Sequence, residues 1–415
     1  MKLRPHQIQK SRELLTILLD KNVAYLAGEV RSGKTLTALN TADLFGCKNL
    51  LFITKKKAIS SIQTDYENFG FTYNITIINY ESLHKLDSKI FDLVIYDEAH
   101  SMGAYPKPSK RTKLCKQIFY NTPTILMSGT PAVESYSQLY HQFFVSKFSP
   151  FNKYVNFYKW ANVFVLKKQM KLPTHTVTDY SNAKVKDINA AVKPYFVKMT
   201  QQDAGLTSTV TEEIINIETP LFLTDLANQL LKDRVIEGNS GIILGDAPAK
   251  LQSKVHQIIN GHCIIERSDT STFKKVFSNY KAKYIKGRFK GLKIAVMYYY
   301  QSELEILKRE FGDGITTDLE EFNTTNKNFA LQQSSSEGMN VSKADAIVYM
   351  NLGFSGKNYL QSRDRLTVKG RKDNRVFFIC ENFGMTKKIL KTVQNKQDFN
   401  SKLFMKWHQN YKLDL

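Results

Sequence analysis

Short apolar runs alternate with amphipathic stretches along most of this chain. The first third contains five runs with the length and composition of buried strands, at 23–27, 49–54, 75–78, 91–96 and 124–127. Between them, apolar positions recur at helical spacing, as in 35–45 and 59–69. Strands and helices that alternate in this way predict a parallel sheet with helices on its faces.

The same alternation returns in the second half of the chain. Strand-like runs lie at 212–217, 293–298, 329–332, 346–350 and 375–380, and helical patterns lie at 223–235, 249–259, 302–311 and from 387 to the end. These runs predict a second parallel sheet. We therefore predict an α/β fold of two parallel-sheet lobes joined by a small helical element, with domains at 1–145, 146–205 and 206–415.

Aromatic and basic residues interleave where the strand pattern is lost, between about 146 and 205. Examples are Phe151, Lys153, Phe157 and Trp160. Aromatic rings beside cations suit base stacking and phosphate contact. The same rings also suit the packing of a small helical element, and this second interpretation is favoured because large aromatic side chains are usually buried.

Charge suggests a class of partner, and composition excludes several classes of protein. Lys and Arg number 59 against 38 Asp and Glu, a net charge of +21. This balance favours a polyanionic partner, most simply nucleic acid, although a generally basic proteome would also produce it. The four cysteines are far apart and suggest neither disulfides nor a zinc site. No apolar run approaches membrane-spanning length, so we expect a cytoplasmic protein without a membrane partner.

Residues 28–35, with the sequence GEVRSGKT, match the phosphate-binding pattern GxxxxGK[ST] at all four fixed positions. Gly28 and Gly33 let the backbone curl so that N–H groups of this loop, which includes Ser32, point at one anion. Lys34 can reach the β- and γ-phosphates of a nucleotide, and the Thr35 hydroxyl can hold Mg²⁺. The loop lies between a predicted strand and a predicted helix, which is the context that this motif requires.

Two adjacent carboxylates follow the apolar run 91–96, in the tetrad Asp97-Glu98-Ala99-His100. Asp97 is placed to hold Mg²⁺ through water, and Glu98 is placed to polarise the attacking water as a base. A DEAH tetrad about sixty residues after a phosphate loop rarely arises by chance. Together the two motifs predict ATP hydrolysis.

Three further stretches could belong to the same site. The amide of Gln7, upstream of the loop, carries both a donor and an acceptor for an adenine edge. Small hydroxyl residues, Ser128 and Thr130, follow the run 124–127, where they could couple the site to a second lobe or form an ordinary turn. Lys55 and Lys56 begin a triple-lysine run after 49–54, which suits phosphate contact and a solvated charged surface equally well.

The order of these motifs resembles the first RecA-like lobe of a superfamily 2 helicase of the DEAH-box type. The stretches 79–83 and 128–131 are most similar to the Swi/Snf-like branch, and compact bacteriophage helicases carry similar loops. The resemblance implies ATP and Mg²⁺ as cofactors and two RecA-like P-loop lobes. By the same resemblance, the adenine contact is assigned to the upstream glutamine, and the coupling of hydrolysis to movement is assigned to Ser128, Thr130 and, with them, His100.

In the second lobe, residues 334–342 resemble the fifth motif of this family, which touches the nucleotide and the nucleic-acid backbone. Gly338 and Asn340 stand where the Swi/Snf-like pattern has its glycine and asparagine. Ser335 and Ser336 replace the usual glycine pair, so this loop departs from the pattern.

Residues 359–365 resemble the sixth motif, whose arginines reach the γ-phosphate and neutralise charge in the transition state. Gln361 and Arg365 fit the Swi/Snf-like pattern, but the position of its later arginine holds Val368. Arg365 is the first candidate for this role and Arg363 the second, while Arg371 is a further possibility. A surface salt bridge is the alternative role for such an arginine.

We expect an ATP-dependent DNA helicase or translocase of replication, recombination or repair, acting on single-stranded or branched DNA in a bacterial or phage-infected cytoplasm. A replication or recombination protein is a possible further partner. The sequence leaves three alternatives open: an RNA helicase, a non-processive ATP-gated nucleic-acid clamp or loader, and the motor of a restriction system. Phosphate contacts alone do not distinguish DNA from RNA.

Overall fold

The computed structural model describes residues 2–86, 90–171, 176–206, 209–239, 241–267, 271–335, 339–367, 371, 373–395 and 397–411. The chain forms two compact units, Met1–Thr207 and Ser208–Leu415. Among the residues in these ranges, no helix has both the length and the apolar character that crossing a membrane requires.

Within its described ranges the first unit contains a six-stranded sheet, a two-stranded sheet and seven α-helices. Its elements are α1 (Pro5–Lys21), β1 (Val23–Gly28), α2 (Lys34–Leu44), β2 (Asn49–Thr54), α3 (Ile59–Phe69), β3 (Asn74–Asn79), β4 (Leu93–Tyr96), α4 (Lys110–Phe119), β5 (Thr124–Ser128), α5 (Gln138–Phe143), α6 (Phe157–Phe164), β6 (Lys168–Lys171), β7 (Thr176–Asp179), α7 (Val185–Val192) and β8 (Phe196–Met199). Six of the strands form one parallel sheet in the order β3-β2-β4-β5-β1-β8.

Both faces of this sheet are covered, which explains why its inner strands are continuous apolar runs. Side chains of successive residues point to opposite faces of a strand. Val23 and Tyr25 accordingly pack with α4 to α7, whereas Ala24 and Leu26 pack with α1, α2 and α3. The sheet therefore holds the loops at its carboxyl edge on a rigid base.

The aromatic residues of segment 146–205 form core. Phe151, Phe157 and Trp160 are buried, and the Trp160 ring lies 5.3 Å from that of Tyr140 on α5. The favoured packing interpretation is confirmed for these side chains, whereas Lys153 remains exposed. The end of the same segment, β8, pairs with β1 in the first sheet.

The second unit is built on another six-stranded parallel sheet. Its elements are β9 (Thr209–Ile217), α8 (Leu221–Asp233), β10 (Val235–Gly238), β11 (Gly241–Leu244), α9 (Pro248–Ile259), β12 (His262–Glu266), β13 (Thr272–Val276), α10 (Tyr280–Arg288), β14 (Ile294–Tyr298), α11 (Gln301–Phe311), β15 (Ile315–Thr316), α12 (Leu319–Thr324), β16 (Asn328–Gln332), β17 (Ala346–Tyr349), α13 (Gly356–Arg363), β18 (Asp373–Glu381), α14 (Met385–Gln394) and α15 (Ser401–Tyr411). The parallel strands follow the order β15-β16-β14-β17-β18-β9. Two parallel-sheet lobes confirm the predicted RecA-like α/β class.

A four-stranded antiparallel sheet, β10-β11-β12-β13, was not predicted by the sequence analysis, and neither was the pairing of β6 with β7. Helices α8 and α9 were predicted, and both pack with the four-stranded sheet in one core. The sequence did not predict its strands because they are short and their exposed positions are polar, as at Lys274 and Lys275.

Candidate active site

The phosphate loop connects β1 to α2, and its Lys34 side chain bonds to carbonyl oxygens of the same loop. Lys34 Nζ donates to Gly28 O at 2.8 Å and to Glu29 O at 3.0 Å. Ser32 is buried, and its hydroxyl donates to Glu29 O at 2.8 Å. The ammonium group thus lies over the loop on two carbonyl oxygens, bonds that it can exchange for phosphate oxygens.

Both glycines of the motif are required by the geometry. Gly33 has φ of +92°, in the left-handed region that favours glycine. At Gly28, a Cβ would lie 2.5 Å from Lys34 Cγ, so any side chain would displace the lysine. Helix α2 begins directly at Lys34, and its first N–H groups have no partner within the helix. Loop and helix start therefore suit an anion, with Thr35 in the first turn.

Helix α1 supports the loop from the side. The Gln7 amide is buried, donates to Gly33 O at 3.3 Å and accepts from Arg4 N at 2.9 Å. His6 Nε2 lies 3.0 Å from Ser32 O. Gln7 therefore contacts the phosphate loop, and its predicted contact with adenine stays a prediction.

The acidic pair lies at the carboxyl end of β4. Asp97 accepts from Thr54 Oγ1 at 2.8 Å, and the hydroxyl of Tyr80 donates to Asp97 O at 2.6 Å. Loss of hydration and the neighbouring charge of Glu98 raise the pKa of Asp97 to about 6. A cation at this carboxylate would offset both effects, which fits a divalent metal ligand.

Glu98 has the opposite electrostatic character. Loss of hydration opposes its ionisation, but the neighbouring His100 ring and the charges of Lys34 and Lys55 outweigh it and lower the pKa of Glu98 to about 2. Glu98 Oε2 lies 3.1 Å from His100 Nδ1. A carboxylate that stays ionised at neutral pH can serve as a base or orient water.

The predicted coupling residues form one chain of contacts with Glu98. His100 Nδ1 lies 2.8 Å from Ser128 Oγ, which in turn accepts from Thr130 N at 3.1 Å. A Cβ at Gly129 would lie 3.4 Å from Gly28 O, so this loop runs close to the phosphate loop. Three loops meet here because β1, β5 and β4 are neighbouring parallel strands whose carboxyl ends share one edge.

Of the two predicted lysines, only Lys55 is linked electrostatically to this site. It follows β2, and its positive charge helps to lower the pKa of Glu98. Lys56 is exposed in the short 3-10 turn Lys56–Ala58.

The candidate catalytic arginines of the second unit differ in how far their side chains are exposed. Arg365 is buried, with 6% of its surface exposed. The Arg363 side chain is 28% exposed, donates to Asp364 Oδ1 at 2.8 Å and lies 3.5 Å from Glu212 Oε1. Arg371 donates to four backbone carbonyls, including Ser342 O and Ala344 O, which gives it a structural role.

The remaining predicted residues of the second unit lie on two segments. Gln361 is buried on α13. Asn340 Oδ1 accepts from Ser342 N at 3.0 Å. Gly338 lies outside the described residues.

Three site residues were missed by the sequence analysis. Thr54 and Tyr80 hold Asp97, and Gln201 holds the phosphate loop. Thr54 could have been found, because the last residue of a strand beside β4 reaches the same sheet edge. Gln201 is far from the loop in sequence, and no spacing signal connects the two.

Comparisons with known proteins point to one family. Residues 23–220 match the SNF2-related domain, which confirms the predicted resemblance to the Swi/Snf-like branch. Two solved structures from Sulfolobus solfataricus, a SWI2/SNF2 ATPase core in complex with dsDNA and a SWI2/SNF2 ATPase core domain, are 14% and 13% identical. The alignments cover 95% of this chain and 91% and 89% of those chains, with TM-scores of 0.44 and 0.43. No curated protein matches the sequence.

Proposed function

We propose that the protein is an ATP-dependent DNA translocase or helicase of replication, recombination or repair, which the match of residues 23–220 to the SNF2-related domain supports. The observation that supports this most strongly is the meeting of Lys34, the Asp97–Glu98 pair and Ser128 at one sheet edge. An anion-binding loop, a metal-binding carboxylate and an ionised base are the parts that nucleotide hydrolysis needs.

Within this proposal each residue has one task. Lys34 leaves the carbonyls of Gly28 and Glu29 to bind the β- and γ-phosphates of ATP. Thr35 and Asp97 would hold Mg²⁺, whose charge would neutralise the phosphate oxygens when bound. Glu98, kept ionised by His100, orients the attacking water and accepts its proton.

The second unit would complete the site with an arginine. Arg363 and Arg365 are the two candidates, and the greater exposure of Arg363 favours it for a reach to the γ-phosphate. An arginine at that position stabilises the negative charge that develops during phosphoryl transfer. Hydrolysis would then depend on closure of the two units, which a bound nucleic-acid strand can promote.

The proposed track is DNA, single-stranded or branched. The net charge of +21 favours a polyanion, and Lys55, Lys56, Asn340 and Gln361 are the proposed contacts. The charge supports nucleic acid in general, and the choice of DNA comes from the resemblance.

The test is steady-state ATP hydrolysis with single-stranded DNA, duplex DNA, forked DNA or RNA, and with Glu98→Gln as the blank. Strong stimulation of ATP hydrolysis by one form of DNA supports a DNA motor and identifies the form of DNA along which it moves. Stimulation by RNA alone would replace this proposal with an RNA helicase. Hydrolysis that no nucleic acid stimulates would favour a partner-gated clamp or loader.

A further inference from the structure

The chain that leaves the first unit is bonded to the phosphate loop. Residues 200–206, here called the connector, follow β8 and precede the second unit in sequence. Gln201 N donates to Glu29 Oε2 at 2.7 Å, and Gln201 Nε2 donates to Val30 O at 3.1 Å. Just before the connector, Met199 O accepts from Glu29 N at 2.8 Å.

The connector is itself a compact turn. Thr200 N donates to Asp203 Oδ2 at 2.8 Å, and Asp203 N donates to Thr200 Oγ1 at 3.1 Å. Leu206 is buried, and its N–H donates to Gln201 O at 2.9 Å. Because these hydrogen bonds hold the turn together, a displacement of Gln201 displaces the whole connector.

Glu29 is the residue at which the nucleotide site and the connector meet. Its carbonyl accepts from Lys34 Nζ, its N–H donates to Met199 O, and its carboxylate accepts from Gln201 N. A phosphate that draws Lys34 away from Glu29 O therefore changes the bonding of the residue that Gln201 holds. The link is local and passes through atoms in direct hydrogen-bond contact.

We propose that Gln201 is a positioning residue that ties the phosphate loop to the connector, so that nucleotide binding and the order of the connector are coupled. This inference rests on the proposed nucleotide site. Coupling in binding equilibria is reciprocal, so the connector tightens nucleotide binding to the extent that nucleotide orders the connector. Nucleotide binding in the first unit would thereby change the order of the residues that lead, in sequence, to the second unit.

The test uses the full chain and four variants. Gln201→Ala removes the bond to Val30 O, and Glu29→Ala removes the acceptor of Gln201 N. Glu29→Gln keeps an acceptor oxygen, and Gln202→Ala is the matched control because Gln202 is exposed beside Gln201. The measurements are ADP·Mg²⁺ affinity, the KM and kcat of ATP hydrolysis, and amide hydrogen exchange across the connector with and without ADP·Mg²⁺.

Gln201→Ala should weaken ADP binding and raise KM by roughly two- to tenfold, the effect of one neutral hydrogen bond, and Glu29→Ala should weaken binding at least as much because it removes an ionised acceptor. The kcat of Gln201→Ala should change by less than about twofold, because the carboxylates and Lys34 remain. ADP·Mg²⁺ should slow exchange in the connector of the wild type, and should slow it less in that of Gln201→Ala, whose backbone N–H still donates to Glu29. Glu29→Gln should lose less affinity than Glu29→Ala, and Gln202→Ala should match the wild type in affinity and exchange.

Unchanged affinity and unchanged nucleotide protection in both alanine variants would overturn the inference. Lys34→Ala separates this failure from failure of the proposed function. If the wild type binds ADP and Lys34→Ala does not, while Gln201→Ala and Glu29→Ala both equal the wild type, only the coupling is refuted. If the wild type binds no nucleotide, both the proposed function and the inference that rests on it are refuted.

Discussion

His100 Nδ1 lies 2.8 Å from Ser128 Oγ and 3.1 Å from Glu98 Oε2, so one ring nitrogen contacts both the proposed base and the loop after β5. The ring is buried, and a lost hydrogen bond costs more in such a site than at an exposed one. A displacement of Ser128 would therefore change the contacts of the ring that lies beside Glu98. The predicted coupling between hydrolysis and movement rests on this contact and stays a prediction.

Ser128→Ala should uncouple the two activities. The change removes one partner of His100 and the acceptor of Thr130 N, but leaves Lys34 and the acidic pair in place. Strand displacement or translocation per ATP should fall by about tenfold, while hydrolysis should fall by less than about threefold. Both rates are measured in one reaction, with Ser60→Ala on the exposed face of α3 as the control. Equal losses in both rates would contradict the coupling role.

Arg363→Ala should lower kcat by about 10³ while nucleotide affinity is retained, if its side chain completes the transition state. Arg365→Ala should lower the free energy of unfolding, since its side chain is buried in the second unit. The sequence favoured Arg365 for catalysis, and exposure favours Arg363. Single-turnover hydrolysis and ADP binding of both variants distinguish them, with exposed Arg309→Ala as the control. A stable Arg365→Ala that binds ADP but fails to hydrolyse ATP would make Arg365 the catalytic arginine, as the sequence analysis expected.

Trp160→Ala should destabilise the first unit by about 3–5 kcal/mol, because it leaves a cavity in a core where Trp160 is 0% exposed. Tyr158→Ala, at a ring that is 42% exposed, should cost less than about 1 kcal/mol. Urea unfolding followed by far-UV circular dichroism gives both values. A stable Trp160→Ala that has lost DNA affinity would instead support the base-stacking interpretation of this segment.

The second unit contains a buried ion pair whose separation should be costly. Lys281 Nζ lies 3.4 Å from Glu381 Oε2 and donates to Asn260 Oδ1 at 2.6 Å. Lys281→Met leaves the carboxylate buried without its charge partner and should cost about 3–5 kcal/mol. Lys281→Met combined with Glu381→Gln should cost less than the single change, whereas exposed Lys283→Met should be neutral. Denaturant unfolding measures all three, and a double variant less stable than Lys281→Met would refute the charge argument.

Elements with strong local signals were predictable. The runs 49–54 and 124–127 become β2 and β5 with the same starting residues, because strands buried on both faces are apolar without interruption. The phosphate loop and the acidic pair could be placed at strand ends for the same reason. Their convergence then follows from the parallel order of β1, β5 and β4.

Features that depend on long-range contacts could not be predicted from the sequence. The pairing of β12 with β13 is fixed by the core of α8 and α9, and half-polar strands such as Thr272–Val276 carry no clear period. Gln201 meets Glu29 across 172 residues, and Arg363 meets Glu212 only in the folded unit. Residue types and spacing do not encode which distant partner a polar side chain finds.

The most direct test of the account is ATP turnover, in the presence of single-stranded DNA, by the wild type, Lys34→Ala and Lys308→Ala. Lys308 is exposed on α11 and matches the charge change without touching the phosphate loop. We predict that Lys34→Ala loses hydrolysis and nucleotide binding while its circular dichroism and melting remain those of the wild type, and that Lys308→Ala keeps wild-type turnover. Near-normal turnover by a folded Lys34→Ala would show that this loop is not the nucleotide site and would contradict the central claim.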